Sequence, residues 1–279
     1  MNPDTIIASA LAEDLGDGDH TTLATIAPGA TGRARLLVKD HGILCGVDLA
    51  MRIFKHTDPA LAMNILMADG HPVQPGDIAF TVSGKAASIL TAERLVLNFM
   101  QRLSGIATAT NLVVRQLEGL KTRVLDTRKT TPLLRELEKY AVRTGGGSNH
   151  RMGLYDMIMI KDNHVDFAGG IEPAIRAVND YLVRTGRDLK IEIEVRNFRE
   201  LDQVLVTGMI HRVMLDNFTL PDLKLAVEKI AGRFETEASG GITLANARSY
   251  AETGVDFISV GALTHQVKSL DMSLKAGFD

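Results

Sequence analysis

The sequence lacks several features that would assign it to a common class of protein. Its 279 residues include no tryptophan and one cysteine, Cys45, and the formal net charge is −3. A chain without basic excess offers no general surface for a polyanion, so we expect no nucleic-acid partner. A single cysteine excludes an intrachain disulfide framework and is typical of a reducing compartment. With neither a signal-peptide pattern nor an apolar run of about 18 residues, the sequence predicts a soluble, cytoplasmic protein with no membrane partner.

Short motifs for common cofactors are also missing. The sequence contains no G-x-x-x-x-G-K-[ST], no G-x-G-x-x-G and no H-E-x-x-H. These absences argue against a P-loop nucleotide site, a Rossmann dinucleotide site and a zinc protease site. No cysteine or histidine cluster has the spacing of a structural zinc site.

The first hundred or so residues mix predicted helices and strands without a regular rhythm. Predicted helices cover 5–15 and 46–56, predicted strands cover 33–39 and 78–82, and a long helix covers 92–117 with a break near Ser104-Gly105. Strands and helices interleaved in this way indicate an α+β unit.

From residue 122 onward, apolar strands alternate with amphipathic helices. The predicted strands are 122–125, 156–160, 190–195, 212–215, 234–238 and 257–260, with a seventh near 141–143. The predicted helices between them are 170–184, 198–207, 220–230 and 243–252. A strand-then-helix rhythm is typical of a parallel sheet, either open or closed into a barrel.

The residues that follow each strand favour the barrel. The six clear strands end in polar or glycine residues: Asp126 to Lys129, Lys161 to His164, Glu194, Asp216-Asn217, Ser239 to Gly241, and Gly261. In a β/α barrel these ends converge on one face, where active sites lie. An open sheet would spread them along an edge too long for one small ligand. We therefore expect a barrel with fewer than eight strands.

Cationic side chains form the first candidate group at this face. Its members are Arg94, Arg128, Lys129, His150, Arg151 and Lys161. Arginine binds carboxylate or phosphate through two parallel hydrogen bonds, and lysine supplies a point charge. Several cations in an acidic protein imply a ligand with more than one negative group. Surface ion pairing is the alternative, and we expect it on the helix that carries Arg135, Glu136, Glu138 and Lys139.

Carboxylates form the second group and glycines the third. Glu192 and Glu194 share one face of a strand, and Asp216 ends the next strand. Hard oxygen ligands favour Mg²⁺, with Glu194 and Asp216 as the metal ligands, although ion pairing with nearby cations would also explain them. Ser239-Gly240-Gly241 and Gly261 suit a phosphate, because glycine lets backbone N–H groups approach closely. Ordinary turns are the alternative for these glycines.

Several segments, in order along nearly the whole chain, resemble the quinolinate phosphoribosyltransferase family. They are Glu13 to Asp19, Glu93 to Asn98, Leu103 to Thr108, Asp126 to Thr131, Tyr140 to Gly153, Ile160 to His164, Asp216-Asn217, Ala238 to Ile242 and Gly254 to His265. The blocks Asp-Thr-Arg-Lys-Thr-Thr and Gly-Gly-Gly-Ser-Asn-His-Arg-Met-Gly-Leu are the most specific of them.

The resemblance implies a fold, an activity and an assembly. The fold would be an N-terminal α/β sandwich domain over 1–107, with the tail 267–279 returning to it, and an incomplete, seven-stranded β/α barrel over 108–266. The activity would join quinolinate to phosphoribosyl pyrophosphate, giving nicotinate mononucleotide, carbon dioxide and pyrophosphate with Mg²⁺. The assembly would be a homodimer, or alternatively a hexamer, with active sites shared between subunits.

The resemblance also implies roles for single residues. Arg94 would reach the partner's site, and the quinolinate carboxylates would be held by Arg128, His150, Arg151 and Lys161. Lys129, Glu194 and Asp216 would serve the pyrophosphate–Mg²⁺ end as catalytic residues. The remaining substrate-binding residues would be Thr127 and, for the 5′-phosphate, Ser239, Gly240 and Gly261.

One departure from the family pattern and two alternative functions accompany this resemblance. Leu133 stands where the family commonly has glycine, which leaves the backbone of that loop open to question. Lys161 to His164 argues against a sister family linked to molybdenum uptake, which lacks this lysine. The alternatives are a related phosphoribosyltransferase acting on nicotinate, and a non-catalytic protein that binds a phosphosugar or oxyanion.

Overall fold

The computed structural model describes residues 2–277, and the chain forms two compact units. The first unit comprises Met1–Asn111, Thr130–Gly146 and Leu263–Asp279; the second comprises Leu112–Lys129 and Gly147–Ala262. No helix among the described residues is long and apolar enough to cross a membrane.

The first unit is built on a four-stranded antiparallel sheet. Its strands, in spatial order, are β12 (Met272–Gly277), β1 (Thr31–Val38), β5 (Ile78–Lys85) and β3 (Ala62–Ile65), and a separate pair is formed by β2 (Gly42–Ile43) and β4 (Pro72–Val73). The early helices are α1 (Pro3–Leu15), α2 (His20–Thr25), α3 (Val47–Thr57), α4 (Ala86–Gln116) and α5 (Arg135–Thr144). The apolar face of α3 is buried, and its Phe54 meets Phe80 of β5 edge to face, with 5.9 Å between ring centroids.

The expected break in the long helix is absent, because α4 runs through Ser104-Gly105 without interruption. Ser104 uses its hydroxyl for tertiary contacts: Oγ accepts the Cys45 N–H at 2.9 Å and donates to the Cys45 carbonyl at 3.1 Å. Gly105 lies so close to the Lys268 carbonyl that a β-carbon would collide with it. Both residues that suggested a break therefore serve close packing of the helix.

The predicted seventh strand at 141–143 is wrong, because these residues lie inside α5. The expectation of surface ion pairs on this helix is also wrong for Glu138 and Lys139, because both side chains are fully buried. Glu138 pairs instead with Arg102 of α4, whose Nη2 lies 2.6 Å from Oε1. A charged residue on an amphipathic helix can therefore face the interior when a partner arrives from elsewhere in the chain.

The second unit contains a six-stranded sheet in which every pairing is parallel. In spatial order its strands are β6 (Arg123–Leu125), β11 (Phe257–Ser259), β10 (Glu235–Ser239), β9 (Arg212–Asp216), β8 (Ile191–Val195) and β7 (Ile158–Ile160). The helices are α6 (Asp162–Ala168), α7 (Ile171–Thr185), α8 (Phe198–Thr207), α9 (Leu220–Ile230) and α10 (Ala247–Ala251), and α11 (Ala262–His265) follows β11. The parallel sheet and the separate antiparallel sheet confirm the predicted mixed α/β class.

Strand register places charged residues of neighbouring strands on one face. Glu194 of β8 is aligned with Met214 of β9, which is aligned with Glu237 of β10. Two residues further towards the carboxyl end, Asp216 of β9 is aligned with Ser239 of β10. Because residues two apart on a strand share a face, these side chains lie in successive layers.

A single bridge extends the sheet beyond β6. Ser148 pairs with Leu125 in parallel: its N–H donates to the Val124 carbonyl at 2.8 Å, and its carbonyl accepts the Asp126 N–H at 3.2 Å. The Gly145-Gly146-Gly147 stretch therefore leads into a paired residue, Ser148, two positions before His150.

The predicted domain limits can be set beside the two units. Strand β12 pairs with β1, which is where the tail 267–279 was expected to return. Residues 130–146 cluster with the first unit, whereas the sequence reading had assigned them to the barrel domain. Met1, Phe278 and Asp279 of the predicted ranges lie outside the described residues.

Candidate active site

A cavity of about 220 Å³ lies at the carboxyl ends of the parallel strands in the second unit. Its lining residues are Thr127, Arg128, Lys129, His150, Arg151, Met159, Lys161, Glu194, Met214, Asp216, Glu237, Ser239 and Ser259. A larger cavity of about 670 Å³ occurs in the first unit, but its lining is mostly small and apolar. Binding chemistry depends on converging polar groups rather than on volume, so we place the candidate site in the smaller cavity.

Two arginines of the cavity are close enough to influence each other. Burial, together with the positive charge of Arg128, lowers the pKa of Arg151. Arg151 Nη1 donates to the Met157 carbonyl at 3.1 Å, which orients the guanidinium, and Arg128 forms no ion pair with any residue in 2–277. Two like charges held together in a partly buried site favour a ligand that carries negative charge.

Opposite charges meet at the next part of the cavity. Lys161 Nζ lies 3.4 Å from Glu194 Oε2, and Asp216 Oδ2 accepts a hydrogen bond from Asn217 Nδ2 at 2.6 Å. Burial raises the pKa of Glu194; the charge of Lys161 opposes this rise, and that of Asp216 adds to it. Two carboxylates close enough to repel each other form an oxygen donor set that suits Mg²⁺.

Backbone geometry shapes the end of the cavity near Ser239. Gly240 has φ 102°, and a β-carbon there would collide with the side chain of Asn217. Asn217 N–H donates to the Ser239 carbonyl at 2.8 Å. On the neighbouring segment, Lys129 N–H donates to Thr127 Oγ1 at 3.0 Å. Glycine is thus required at 240, and the turn holds Asp216 and Ser239 side by side.

Below the cavity lies a cluster of four buried ionisable side chains. His150 Nε2 is 2.9 Å from Glu192 Oε2 and 3.5 Å from Glu237 Oε2. Arg212 Nη1 donates to Glu237 Oε2 at 3.0 Å. Burial raises the pKa of Glu192, and repulsion from Glu237 raises it further. For Glu237, burial is outweighed by His150 and Arg212, so its pKa is lowered.

Both ring nitrogens of His150 are directed at protein atoms. Nδ1 accepts the Arg151 N–H at 2.7 Å, and Nε2 faces the two carboxylates. Burial lowers the pKa of His150, but the two carboxylates outweigh burial and raise it to about 9. The Arg151 N–H opposes this rise, because a second proton on Nδ1 would break its hydrogen bond, and the geometry therefore favours the ring with its one hydrogen on Nε2.

The same cluster is the one group of three potential metal ligands within 4.8 Å of one another in residues 2–277. Its members are His150, Glu192 and Glu237, all buried. Proton donors already occupy the shared space, since the guanidinium of Arg212 and the Nε2 side of His150 both point at Glu237. This cluster therefore suits ion pairing better than it suits a metal.

The structure brings together most of the residues proposed from sequence. Of the predicted site residues, all but Arg94, Gly240 and Gly261 line the cavity. Gly240 directly follows Ser239, Gly261 lies two residues beyond β11, and Arg94 belongs to α4 of the first unit. Sequence reading missed Glu237 and Asp126, although alternation along β10 places Glu237 on the same face as Ser239. Asp126 is fully buried and accepts the His150 N–H at 2.8 Å.

Leu133 has a backbone conformation that favours glycine. Its φ is 69°, in the left-handed region, and its side chain is exposed. Leucine in place of the family's glycine therefore carries the strain of a left-handed backbone conformation.

Fold and site together define an α/β protein that binds a ligand with several negative groups. Two family models match the chain: the quinolinate phosphoribosyl transferase N-terminal domain over residues 19–104 and its C-terminal domain over residues 106–275. The chain therefore belongs to the quinolinate phosphoribosyl transferase family.

Individual relatives agree with the family models. A chloroplastic nicotinate-nucleotide pyrophosphorylase (carboxylating) of Arabidopsis thaliana is 48% identical over 285 residues, covering 97% of this chain and 81% of the relative. The crystal structure of NadC from Streptococcus pyogenes matches this fold with a TM-score of 0.94, and its sequence is 37% identical. The match covers 99% of this chain and 97% of that one. The nicotinate-nucleotide pyrophosphorylase from Francisella tularensis is 40% identical with a TM-score of 0.93, covering 99% and 98%.

Proposed function

We propose that this enzyme transfers the phosphoribosyl group of phosphoribosyl pyrophosphate to quinolinate and releases carbon dioxide, forming nicotinate mononucleotide for de novo NAD synthesis. The convergence of Arg128, Arg151 and Lys161 with two carboxylates in one cavity is the observation that carries the proposal. The names of relatives at up to 48% identity over nearly the whole chain support it.

The quinolinate end of the site is assigned to Arg128, Arg151 and Lys161. Quinolinate carries two adjacent carboxylates, and a guanidinium can donate two parallel hydrogen bonds to each. The mutual repulsion of Arg128 and Arg151 is relieved when a dianion lies between them. His150 belongs to the same end through the bond that its Nδ1 accepts from the Arg151 backbone.

The phosphoribosyl end is assigned to Lys129, Glu194, Asp216 and the Ser239–Gly240 turn. Glu194 and Asp216 would hold Mg²⁺, which neutralises the charge that builds on departing pyrophosphate. Lys129 lines the same cavity and would contact the same leaving group. Ser239, Gly240 and Gly261 would donate to the 5′-phosphate, and Thr127 supports the backbone of Lys129.

The chemistry needs positioning and charge rather than an enzyme-bound intermediate. The ribose carbon loses pyrophosphate and is attacked by the ring nitrogen of quinolinate, which becomes positively charged. Carbon dioxide then leaves from the neighbouring carbon, because the positive ring nitrogen stabilises the electron pair left on that carbon, and a proton from water takes the place of the carboxylate. Holding both substrates in one pocket can supply about 7–11 kcal/mol at best. Glu194 and Asp216 would also stabilise positive charge on the ribose.

One assay tests the proposal. Purified protein is mixed with phosphoribosyl pyrophosphate and quinolinate labelled in the carboxylate next to the ring nitrogen, and labelled carbon dioxide is measured with and without Mg²⁺. We expect release that requires both substrates and stops when a chelator removes Mg²⁺. Turnover of nicotinate instead would support the one-carboxylate alternative, and binding without turnover would support a non-catalytic protein.

We also propose that the sheet belongs to an incomplete, seven-stranded barrel, in which the segment that contains Ser148 takes the place of the seventh strand. The parallel bridge from Ser148 to Leu125 supports this. We propose a cytoplasmic location as well, which fits the single, buried Cys45.

A shared site in a homodimer is the remaining proposal, with Arg94 acting in the partner's site. Arg94→Ala and Lys161→Ala should each inactivate the enzyme by about 100-fold or more. Mixing the two inactive variants should restore up to about a quarter of wild-type activity, because random pairing leaves some sites with both residues. Mixed dimers without activity would contradict the shared site.

A further inference from the structure

The cluster beneath the cavity contains a carboxylate, Glu237, to which neither sequence nor family resemblance gives a role. Its side chain is fully buried, yet it lines the floor of the cavity. A buried carboxylate is costly unless cations or hydrogen-bond donors neutralise it. Under a pocket for a dianion it is also repulsive, so its presence calls for a physical explanation.

Contacts of Glu237 lead in two directions. Arg212 Nη1 lies 3.0 Å behind its Oε2 and holds the carboxylate in place. On the other side, the same oxygen is 3.5 Å from His150 Nε2, and Glu192 Oε2 approaches that nitrogen to 2.9 Å. The carboxylates of Glu192 on β8 and Glu237 on β10 therefore face the same edge of the imidazole.

The opposite edge of the imidazole is attached to the anion-binding residues. Its Nδ1 accepts a hydrogen bond from the backbone N–H of Arg151 at 2.7 Å. The backbone N–H of His150 itself donates to Asp126 Oδ1 at 2.8 Å. Nδ1 thus has a hydrogen-bonded backbone partner, and Nε2 lies in charge contact with two carboxylate oxygens within 3.5 Å, so both edges of the ring meet protein atoms. Rigid support of this kind keeps binding groups at their productive geometry.

We propose that Glu237 is a positioning residue for the quinolinate end of the site: it fixes the His150 ring, and the ring fixes the backbone of Arg151. His150 then acts from within the protein rather than through a ring nitrogen directed at the ligand. This inference rests on the proposed function for its substrate, but the position of the ring can be tested without one.

Binding measurements test the proposal with a matched control. Glu237→Met removes the carboxylate; Glu237→Asp keeps the charge and withdraws it from His150; Glu237→Gln keeps an oxygen for both neighbours. The control is Glu235→Gln, because Glu235 lies on the same face of β10 and bonds Arg212 at 3.0 Å, but has no contact with His150. Calorimetry measures the Kd for quinolinate and for phosphoribosyl pyrophosphate separately.

We expect Glu237→Met and Glu237→Asp to raise the Kd for quinolinate by about tenfold or more, and that for phosphoribosyl pyrophosphate by less than about twofold. Glu237→Gln should recover most of the lost affinity, and Glu235→Gln should leave both constants within about twofold of wild type. The proposal is overturned if Glu235→Gln weakens quinolinate as much as Glu237→Met does. Equal loss for both substrates would overturn it too, since a general loss of structure explains that result.

A second measurement needs no substrate. Protein labelled with 15N at histidine gives long-range proton–nitrogen correlations that report which ring nitrogen carries hydrogen, and His150 is assigned by its loss in His150→Gln. We expect the Nε2–H form in wild type and an altered His150 pattern in Glu237→Asp. An unchanged pattern would overturn the positioning role. A wild-type protein that binds no quinolinate would refute the proposed function, and the spectra would still decide the role of Glu237.

Discussion

Both ends of the six-stranded parallel sheet carry charged side chains, but only at the amino end are they buried against partners of opposite charge. At the amino end, Arg212 bonds Glu235 and Glu237, and its guanidinium carbon lies 4.0 Å from the centre of the Phe257 ring. At the carboxyl end, Arg128 has no ion pair among residues 2–277, and the hydrogen bond that Asp216 accepts comes from a neutral amide, Asn217 Nδ2.

The difference separates charges that stabilise the protein from charges available to a ligand. A paired charge at the amino end is held by an opposite charge from another strand, so removing that partner should affect folding. An unpaired charge at the carboxyl end contributes little to folding, so its removal should affect binding alone. Substitutions at the amino end should therefore lower the free energy of unfolding, and substitutions at the carboxyl end should weaken ligand binding.

The largest effect is expected for Arg212→Met, at the amino end. The change leaves Glu237 buried without its main cation, and loss of one partner of a buried pair typically costs about 3–5 kcal/mol. Urea unfolding of wild type and variant measures the difference in the free energy of unfolding. Arg176→Met serves as the control, because its pair with Glu172 is exposed and should contribute less than about 1 kcal/mol. A loss below that control value for Arg212→Met would contradict the division.

The next effect is expected for Arg128→Ala, at the carboxyl end. Truncating one member of a desolvated charge contact costs about 2–5 kcal/mol, so kcat/KM for quinolinate should fall by about 30-fold to several thousand-fold. The free energy of unfolding should change by less than about 0.5 kcal/mol, because Arg128 has no ion pair to lose.

Arg128→Lys is the matched variant for this second prediction. It keeps the charge but not the paired donors of the guanidinium, so it should recover only part of the activity. Near-wild-type kcat/KM in Arg128→Ala would show that the quinolinate pocket is misassigned. A large loss of stability in the same variant would show that charge at this end also supports the fold.

Much of this division could be predicted from the sequence, since it depends on local pattern. The rhythm of strands and helices predicted all six parallel strands, and polar residues at the ends of five of them predicted much of the cavity lining. The false strand at 141–143 arose because a short apolar run fits a strand or a helix equally well. The helix α5 contains that run together with charged residues, two of which are buried.

Long-range pairing was beyond prediction. Glu138 meets Arg102, and Glu237 meets His150, only because sheet register and helix packing bring distant segments together. A single sequence shows which residues alternate on a face, but not which neighbour arrives opposite them. For that reason the cavity residues at strand ends could be predicted, and the pairing of Glu237 with His150 and Arg212 could not.

The smallest effect is expected for Asp256, again at the amino end. Its Oδ2 accepts from Thr236 N at 2.9 Å and Thr236 Oγ1 at 2.8 Å, and Lys121 Nζ lies 3.0 Å from Oδ1. Burial opposes ionisation, but these contacts outweigh it and lower the pKa of Asp256. Since the folded pKa lies below the unfolded one, the stabilisation is present above about pH 4 and lost as pH falls through the folded pKa.

Asp256→Asn should therefore lower the free energy of unfolding by about 1 kcal/mol at pH 7, a value reduced for the partial exposure of the side chain. The gap between wild type and variant should narrow as pH falls from about 5 to 3, as urea unfolding at each pH would measure. Lys121→Met is the control: its amino group is largely exposed, so its loss should cost less than about 0.5 kcal/mol. A gap that stayed constant with pH would mean that Asp256 stabilises the sheet by its shape and hydrogen bonds, and not by its charge.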